Sequence, residues 1–345
     1  MKMTSAAMTT RERFHAVMNF QPFDRLPLLE WAAWWDKTID RWHGEGLPAA
    51  ITDRYDICRH FGLDLYCQEW IAPRGPGCPW PASHGAPLIQ TLDDYRRLRP
   101  HLYPRLAADT LDGWRRFAEL QRRGEAVLWF TLDGFFWFPR TLLGIEPHLY
   151  AFYDQPELMH EINRDLAEWM LAVVDALCAV ATPDFMTFAE DLSYNHGPML
   201  SEPLFDEFLA PYYGRILPRL RERGILAIID SDGDVTVPAH WFERTGLQGI
   251  LPLERQAAVD IARLRRDHPR LRFIGHFDKM TMARGEEAMR QEFERLLPTA
   301  AQGGFLISCD HQTPPGVPYA NYQTYLRLFR EYADRAGARS RGAMA

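Results

Sequence analysis

The chain has 345 residues, 47% of them hydrophobic and 25% charged, with a formal net charge of −7; this is a globular balance without the basic surplus of a nucleic-acid footprint. No run approaches the roughly 18 apolar residues of a membrane span, and the opening "MKMTSAAMTTRERF" lacks the apolar core of a secretory signal. Five irregularly spaced cysteines, Cys58, Cys67, Cys78, Cys178 and Cys309, with no C-x-x-C among them, lead us to expect reduced thiols and a cytoplasmic location.

A helix over "TTRERFHAVMNF" precedes the first strand signal, "RLPLLEW" (25–31). "LDLYCQEW" (63–70) follows the helical "AAITDRYDICRHFG", and "AVLWFTLDG" (126–134) follows the amphipathic "LAADTLDGWRRFAELQRRG". A long helix from Leu158 to Leu177, apolar at every third or fourth residue, leads into "PDFMTFAED" (183–191). Then come "GILAIIDSDGD", "GLQGILPLE" (246–254), "RLRFIGHFD" (270–278) and "GGFLISCDH" (303–311), with helices expected at 203–223, 237–245, 256–267, 281–298 and 319–337. Strands alternating with helices imply a parallel sheet, and eight of them favour a single closed (β/α)8 TIM barrel over an open doubly wound sheet. No G-x-G-x-x-G follows the first strand, which argues against a dinucleotide fold. The Pro/Gly-rich "IAPRGPGCPWPASHGAP" (71–87) reads as a long loop, so residues 71–125 are expected as an insertion after the second strand, over or beside the barrel mouth.

Barrel chemistry sits at the carboxyl ends of strands. Those ends carry Glu30, Glu69, Asp133, Glu190 with Asp191, Asp230 with Asp232, Glu254, His276 with Asp278, and Cys309 with Asp310 and His311. Asp133, Asp234 and Glu254 read equally well as helix caps, and His276 as a core histidine. The "DSDGD" of 230–234 is not an EF-hand, since Gly233 is fourth rather than sixth and Trp241 stands at position twelve. On a regular strand Asp230 and Asp232 point the same way, and each raises the other's pKa unless a cation lies between them. Aromatic residues are abundant: 11 Trp, 13 Tyr and 20 Phe. They cluster in "EWAAWW", "CQEW", "CPW" and "WFTLDGFFWF", which reads as core packing or as an apolar pocket. Trp31, Trp34, Trp70, Trp129, Phe136 and His276 are the candidate substrate-binding residues.

The order "RERFHAVMNFQPFDRLPLLEW", "LLGIEPHLYAFYDQPELMHEI", "FAEDLSYNHGPMLSEPLFDEFLAPYYGRI", "DSDGDV", "GILPLE", "FIGHFDK" and "GGFLISCDHQTPPGVPYANYQTYLRL" resembles the uroporphyrinogen decarboxylase superfamily along nearly the whole chain. That resemblance implies a TIM barrel and one of two chemistries, porphyrinogen decarboxylation or methyl transfer to or from a corrinoid protein. The decarboxylases carry an R-Q-A-G-R-Y segment for the substrate's carboxylates; this chain has "EWAAWWDKTIDRW" there, and its acidic rim would repel a polyanion. The methyltransferases hold zinc with H-x-C and a distant cysteine. Asp230 and Asp232 match the H-x-C positions here, and His311 matches the distant cysteine. The resemblance therefore leaves two readings: a divalent metal such as zinc on Asp230, Asp232 and His311, or a metal-free acid–base set of Asp230, Asp232, His311 and Glu190.

Methyl transfer from a small methoxylated or methylated-amine substrate to a corrinoid protein is the first expectation. Decarboxylation of a porphyrinogen-like or other carboxylate substrate is the second, with Arg140 and Lys279 as cations to hold it. A barrel that only binds a ligand is the third. Implied partners are a small molecule, the corrinoid protein and a second copy of the chain, with neither nucleic acid nor membrane.

Overall fold

The computed structural model describes residues 7–342. Among them the strands are β1 (Leu65–Ile71), β2 (Ala126–Asp133), β3 (Phe185–Ala189), β4 (Ser193–Tyr194), β5 (Gly197–Pro198), β6 (Leu226–Ser231), β7 (Gly249–Pro252), β8 (Arg272–Phe277) and β9 (Phe305–Cys309). Every residue of β2, β3, β6, β7 and β9 is buried, as expected of parallel strands covered on both faces. Two compact units result: residues 68–119 with 128–249, taken from the middle of the chain, and residues 7–67, 120–127 and 250–342, taken from its two ends.

In the middle unit β2, β3 and β6 pair in parallel, with Trp129 opposite Phe185, Thr131 opposite Thr187, Asp133 opposite Ala189, and Ala189 opposite Asp230. Helix Pro156–Cys178 returns the chain from β2 to β3, and helix Ala210–Glu222 returns it from β3 to β6. Because side chains alternate faces along a strand, Trp129, Thr131 and Asp133 share one side of β2. Trp129 stacks on Phe185 with ring centres 4.8 Å apart, and Gln68 donates to Thr131, which hydrogen-bonds Thr187 at 2.7 Å. The row above these is Asp133, Ala189 and Asp230. β4 and β5 form only a small antiparallel ladder.

In the other unit β8 and β9 pair in parallel, with His276 opposite Ser308 and Phe277 opposite Cys309, joined by helix Glu286–Ala300. Helix Thr10–Met18 opens with a capping box between Thr9 and Glu12. The following segment is tied to helix Tyr319–Gly342: Leu26 N–H donates to the Ala333 carbonyl, and Arg341 Nη1 donates to the Phe23 carbonyl.

The alternation of parallel strands and helices agrees with an α/β fold, and seven of the eight expected strands form. The exception corrects the eight-stranded expectation. Residues 25–31 carry no strand ladder, with bends at Arg25 and Trp31. Pro27 lacks an N–H, and this segment meets β9 through side chains: Trp31 N–H donates to Ser308 Oγ, and Ser308 Oγ and Cys309 N–H donate to Glu30. Residues 71–125 hold loops, helix Leu92–Leu98, a short 3₁₀ turn and helix Ala108–Arg122.

Candidate active site

The acids after β6 are placed by a tight approach of backbones. Gly233 has φ +82°, and a Cβ there would stand 2.6 Å from the Tyr194 backbone, so no other residue fits without movement. Asp234 N–H donates to the Tyr194 carbonyl, Leu192 N–H to Ser231 Oγ, and Asp232 N–H to Asp191 Oδ1 at 3.3 Å. These bonds bring Asp191 beside the pair expected from sequence. One carboxylate oxygen from each of Asp191, Asp230 and Asp232 lies within 4.8 Å of the others. Burial, then the charges of Asp191 and Asp232, raises the Asp230 carboxyl well above its ordinary range. Its protonated form is therefore favoured, and a cation offsetting its neighbours would favour the charged form instead.

Three carboxylates make a hard-oxygen donor set. Such a set suits an oxygen-coordinated divalent ion rather than thiolate-held zinc. Cys309 offers no substitute: it is buried, its thiol lies 3.8 Å from Thr313 Oγ1, and burial raises its pKa well above 9.0.

Beside the acids, in the same unit, is a cleft of about 380 Å³ lined by Trp70, Trp80, Trp137, Arg74, Arg140 and Asp133, among others. Trp70 and Trp80 are 55% and 82% exposed, which marks them as walls rather than core. Trp70 Nε1 donates to Asp133 Oδ1 at 3.1 Å, and burial raises the Asp133 pKa. Arg140 lies over the Trp137 ring, 5.2 Å from its centre, and its Nη1 reaches the Asp191 carbonyl at 3.5 Å. Cleft and acids thus share a wall. Asp133 and Asp230 flank Ala189 in one row, separated by two strand spacings, roughly 10 Å.

Glu190 has a different task. It is fully buried and accepts from the N–H groups of Phe135 (2.7 Å), Phe136 (2.6 Å) and Trp137 (3.1 Å), and from the Tyr213 hydroxyl. Burial outweighs these donors and raises its pKa to about 7. Its carboxylate holds the start of helix Trp137–Leu143, which carries Trp137 and Arg140 into the cleft, and so acts by position.

Of the aromatic candidates only Trp70 lines this cleft. Trp129 is core, stacked on Phe185, and Phe136 is core, against His148 and Phe152. In the other unit Trp34 is buried against Trp42, Phe61 and Tyr322. Trp31 is half-buried; its Nε1 donates to the Cys309 carbonyl, and its ring meets His311 edge-on at 6.1 Å. His276 is a core histidine, with Nδ1 bonded to the Leu253 carbonyl and Nε2 to Arg295, and burial lowers its pKa to about 3. Lys279 is taken by Asp310 and Gln256. Arg74 was not legible from sequence, being one arginine in a Gly/Pro-rich loop. Asp191 was read only as a neighbour of Glu190.

The family model for uroporphyrinogen decarboxylase (URO-D) matches residues 141–332, more than half of the chain. The chain belongs to the URO-D family, a class of enzymes. Two uroporphyrinogen decarboxylases of Caulobacter vibrioides, from strains NA1000 / CB15N and ATCC 19089 / CIP 103742 / CB 15, are each 24% identical over 176 residues, 50% of this chain. The match spans about half the length of these relatives, 48%. A solved methyltransferase from Methanosarcina mazei superposes with a TM-score of 0.61 at 15% identity, covering 94% of this chain and 99% of that one, and so shares the fold. Among the described residues no helix is long and apolar enough to cross a membrane.

Proposed function

We propose that this enzyme removes the methyl group of a small methoxylated aromatic substrate and passes it to a corrinoid carried by a partner protein. The observation that carries the reading is Asp230, its carboxyl raised by burial and by the charges of Asp191 and Asp232, in the same row as Asp133 in the wall of an aromatic cleft of about 380 Å³. An ether oxygen leaves poorly unless it gains a proton as its bond to the methyl carbon breaks. The corrinoid would supply the nucleophile that accepts the methyl group. Within this chain Trp70, Trp80 and Trp137 hold the ring flat, Asp230 gives its proton to the departing oxygen to yield a phenol, and the charges of Asp191 and Asp232 help keep that proton in place beforehand. Asp191, Asp230 and Asp232 would hold a divalent cation if one binds, and it would supply Lewis-acid assistance.

Decarboxylation of a carboxylate substrate is the second reading, favoured by the activity of the Caulobacter relatives. Asp230 would then protonate the carbanion left by CO2. One assay separates the two. The enzyme is incubated with 4-methoxybenzoate and a reduced corrinoid acceptor, and phenolic product, CO2 and methylated acceptor are measured. Methyl transfer predicts phenol and methylated acceptor in equal amounts, a rate that falls as pH rises through the Asp230 pKa, and a loss of about 10²–10⁴ in kcat for Asp230→Asn with folding intact. Release of CO2 with the methoxy group retained would replace the first reading with the second.

A further inference from the structure

The cleft holds two guanidinium groups, those of Arg74 and Arg140. Several arginines elsewhere in the middle unit are ion-paired: Arg99 with Asp165, Arg219 with Asp175, Arg244 with Asp206. Among the described residues neither Arg74 nor Arg140 has a carboxylate within ion-pair distance. Both are half-buried and held by neutral partners. Arg74 Nη2 donates to the carbonyl and hydroxyl of Thr141, at 3.0 and 2.9 Å, and its Nη1 reaches Cys78 Sγ at 3.5 Å. Arg140, the residue before Thr141, rests on Trp137 and the Asp191 carbonyl. The two side chains are therefore oriented by neutral partners. Asp133, the carboxylate in the cleft wall, accepts from Trp70 and meets Arg74 only through its field, beyond ion-pair distance.

Withdrawing a charge from water is costly unless it finds a partner, and a guanidinium with free N–H donors is shaped for a planar oxyanion. We infer that the ligand of this cleft is an aromatic carboxylate, its ring between the tryptophans and its carboxylate shared by Arg74 and Arg140. The inference rests on the methyl-transfer reading for what happens to the ligand, but not for its binding. It also selects among methylated substrates, because two unpaired cations repel a quaternary ammonium group and attract a methoxybenzoate.

Titration calorimetry on the full chain tests it without turnover. The probes are benzoate, 4-methoxybenzoate, the neutral 4-methoxybenzyl alcohol and the cation benzyltrimethylammonium. The acids should bind at least about tenfold tighter than the alcohol, with affinity falling as salt rises. Arg74→Gln and Arg140→Gln should each weaken the acids about tenfold and leave the alcohol unchanged. Arg140→Lys keeps the charge but loses the fork, and should fall between; circular dichroism shows which variants are folded. Equal binding of acid and alcohol, tighter binding of the ammonium probe, no binding of either acid, or folded arginine variants that bind the acids like wild type would each overturn the inference. Acids that bind tightly but keep their methyl group would sink the proposed reaction and leave the anion site standing. Turnover of the neutral ether without preference for acids would do the reverse.

Discussion

Gly134 leaves no room for a side chain. A Cβ there would stand 2.1 Å from the Glu190 carboxyl carbon, and four donors fix that carboxylate in place. Gly134→Ala should destabilise the protein by about 1–3 kcal/mol in denaturant unfolding, the usual cost of overpacking. The cause is one pair of groups, so the two changes should not add. Glu190→Ala removes the colliding carboxylate, and Gly134→Ala should cost at least about 1 kcal/mol less in that background. Additive losses would mean that the clash is relieved some other way. Neither residue showed this role in the sequence, where Glu190 stood as one acid among several at strand ends. A strand-end carboxylate that faces solvent and one that caps backbone amides have the same letter. Asp230 and Asp232 were legible because their spacing alone predicts repulsion, while Asp191 required the fold to bring a second loop against them.

The helix Trp137–Leu143 is short, and no side chain caps it at its own N-cap residue. Its first amides are satisfied instead by Glu190, one strand away, and its seven residues place Trp137 and Arg140. Glu190→Gln replaces one acceptor oxygen with a donor facing backbone N–H groups, which loosens the helix start rather than the chemistry. KM for 4-methoxybenzoate should rise roughly tenfold with kcat nearly unchanged, whereas a proton-transfer role would lower kcat. Other elements show why some boundaries were legible and others were not. The buried strands announce themselves as branched apolar runs, and helix Pro238–Thr245 ends at Gly246 as expected. The expected helix 203–223 divides at Leu209, before Pro211, and 281–298 divides at Gly285. The span 256–267 opens on a short 3₁₀ turn, Arg255–Ala257, and is α-helical only from Ile261, after Asp260 caps it. Residues 25–31 look like a strand by composition, but a ladder also needs backbone donors and a partner in register, and neither can be read from one chain segment.

At the scale of the molecule, each unit buries one glutamate whose proton is lost late. Burial raises both Glu30 and Glu190 from 4.5 to about 7. The folded state thus keeps protons that the unfolded chain releases between pH 4.5 and 7, so their contribution is full at the acidic end of that window and is lost towards pH 7. The slope is about 1.4 kcal/mol per pH unit for each group, on the order of 3 kcal/mol each across the window. Asp64, where Arg25 outweighs burial, has the opposite sign and loses its contribution only below its unfolded pKa of 3.8. Buried His148 and His276, lowered from 6.5 to about 3, have the opposite sign and offset the glutamates' slope below pH 6.5, so the glutamates show in the variants rather than in the wild-type profile. In chemical unfolding between pH 5 and 8, Glu30→Gln and Glu190→Gln should each change the slope by about one proton relative to wild type. Variant slopes that match wild type would mean that both carboxylates ionise in the fold as they do in water.

The division of the chain also sets an order of events during synthesis. All of β2, β3 and β6 have left the ribosome by residue 231, and the partners they need for one another are present. The first helix and the segment holding Leu26 and Glu30 must wait for β9 and helix Tyr319–Gly342. At about 5–20 residues per second that wait is roughly fifteen to sixty seconds. Throughout it Phe14, Val17, Leu26 and Leu28, all buried in the finished protein, have no core to enter. This segment, made long before its partners, is thus among the last to be sheltered, and it is the natural place for a chaperone to hold.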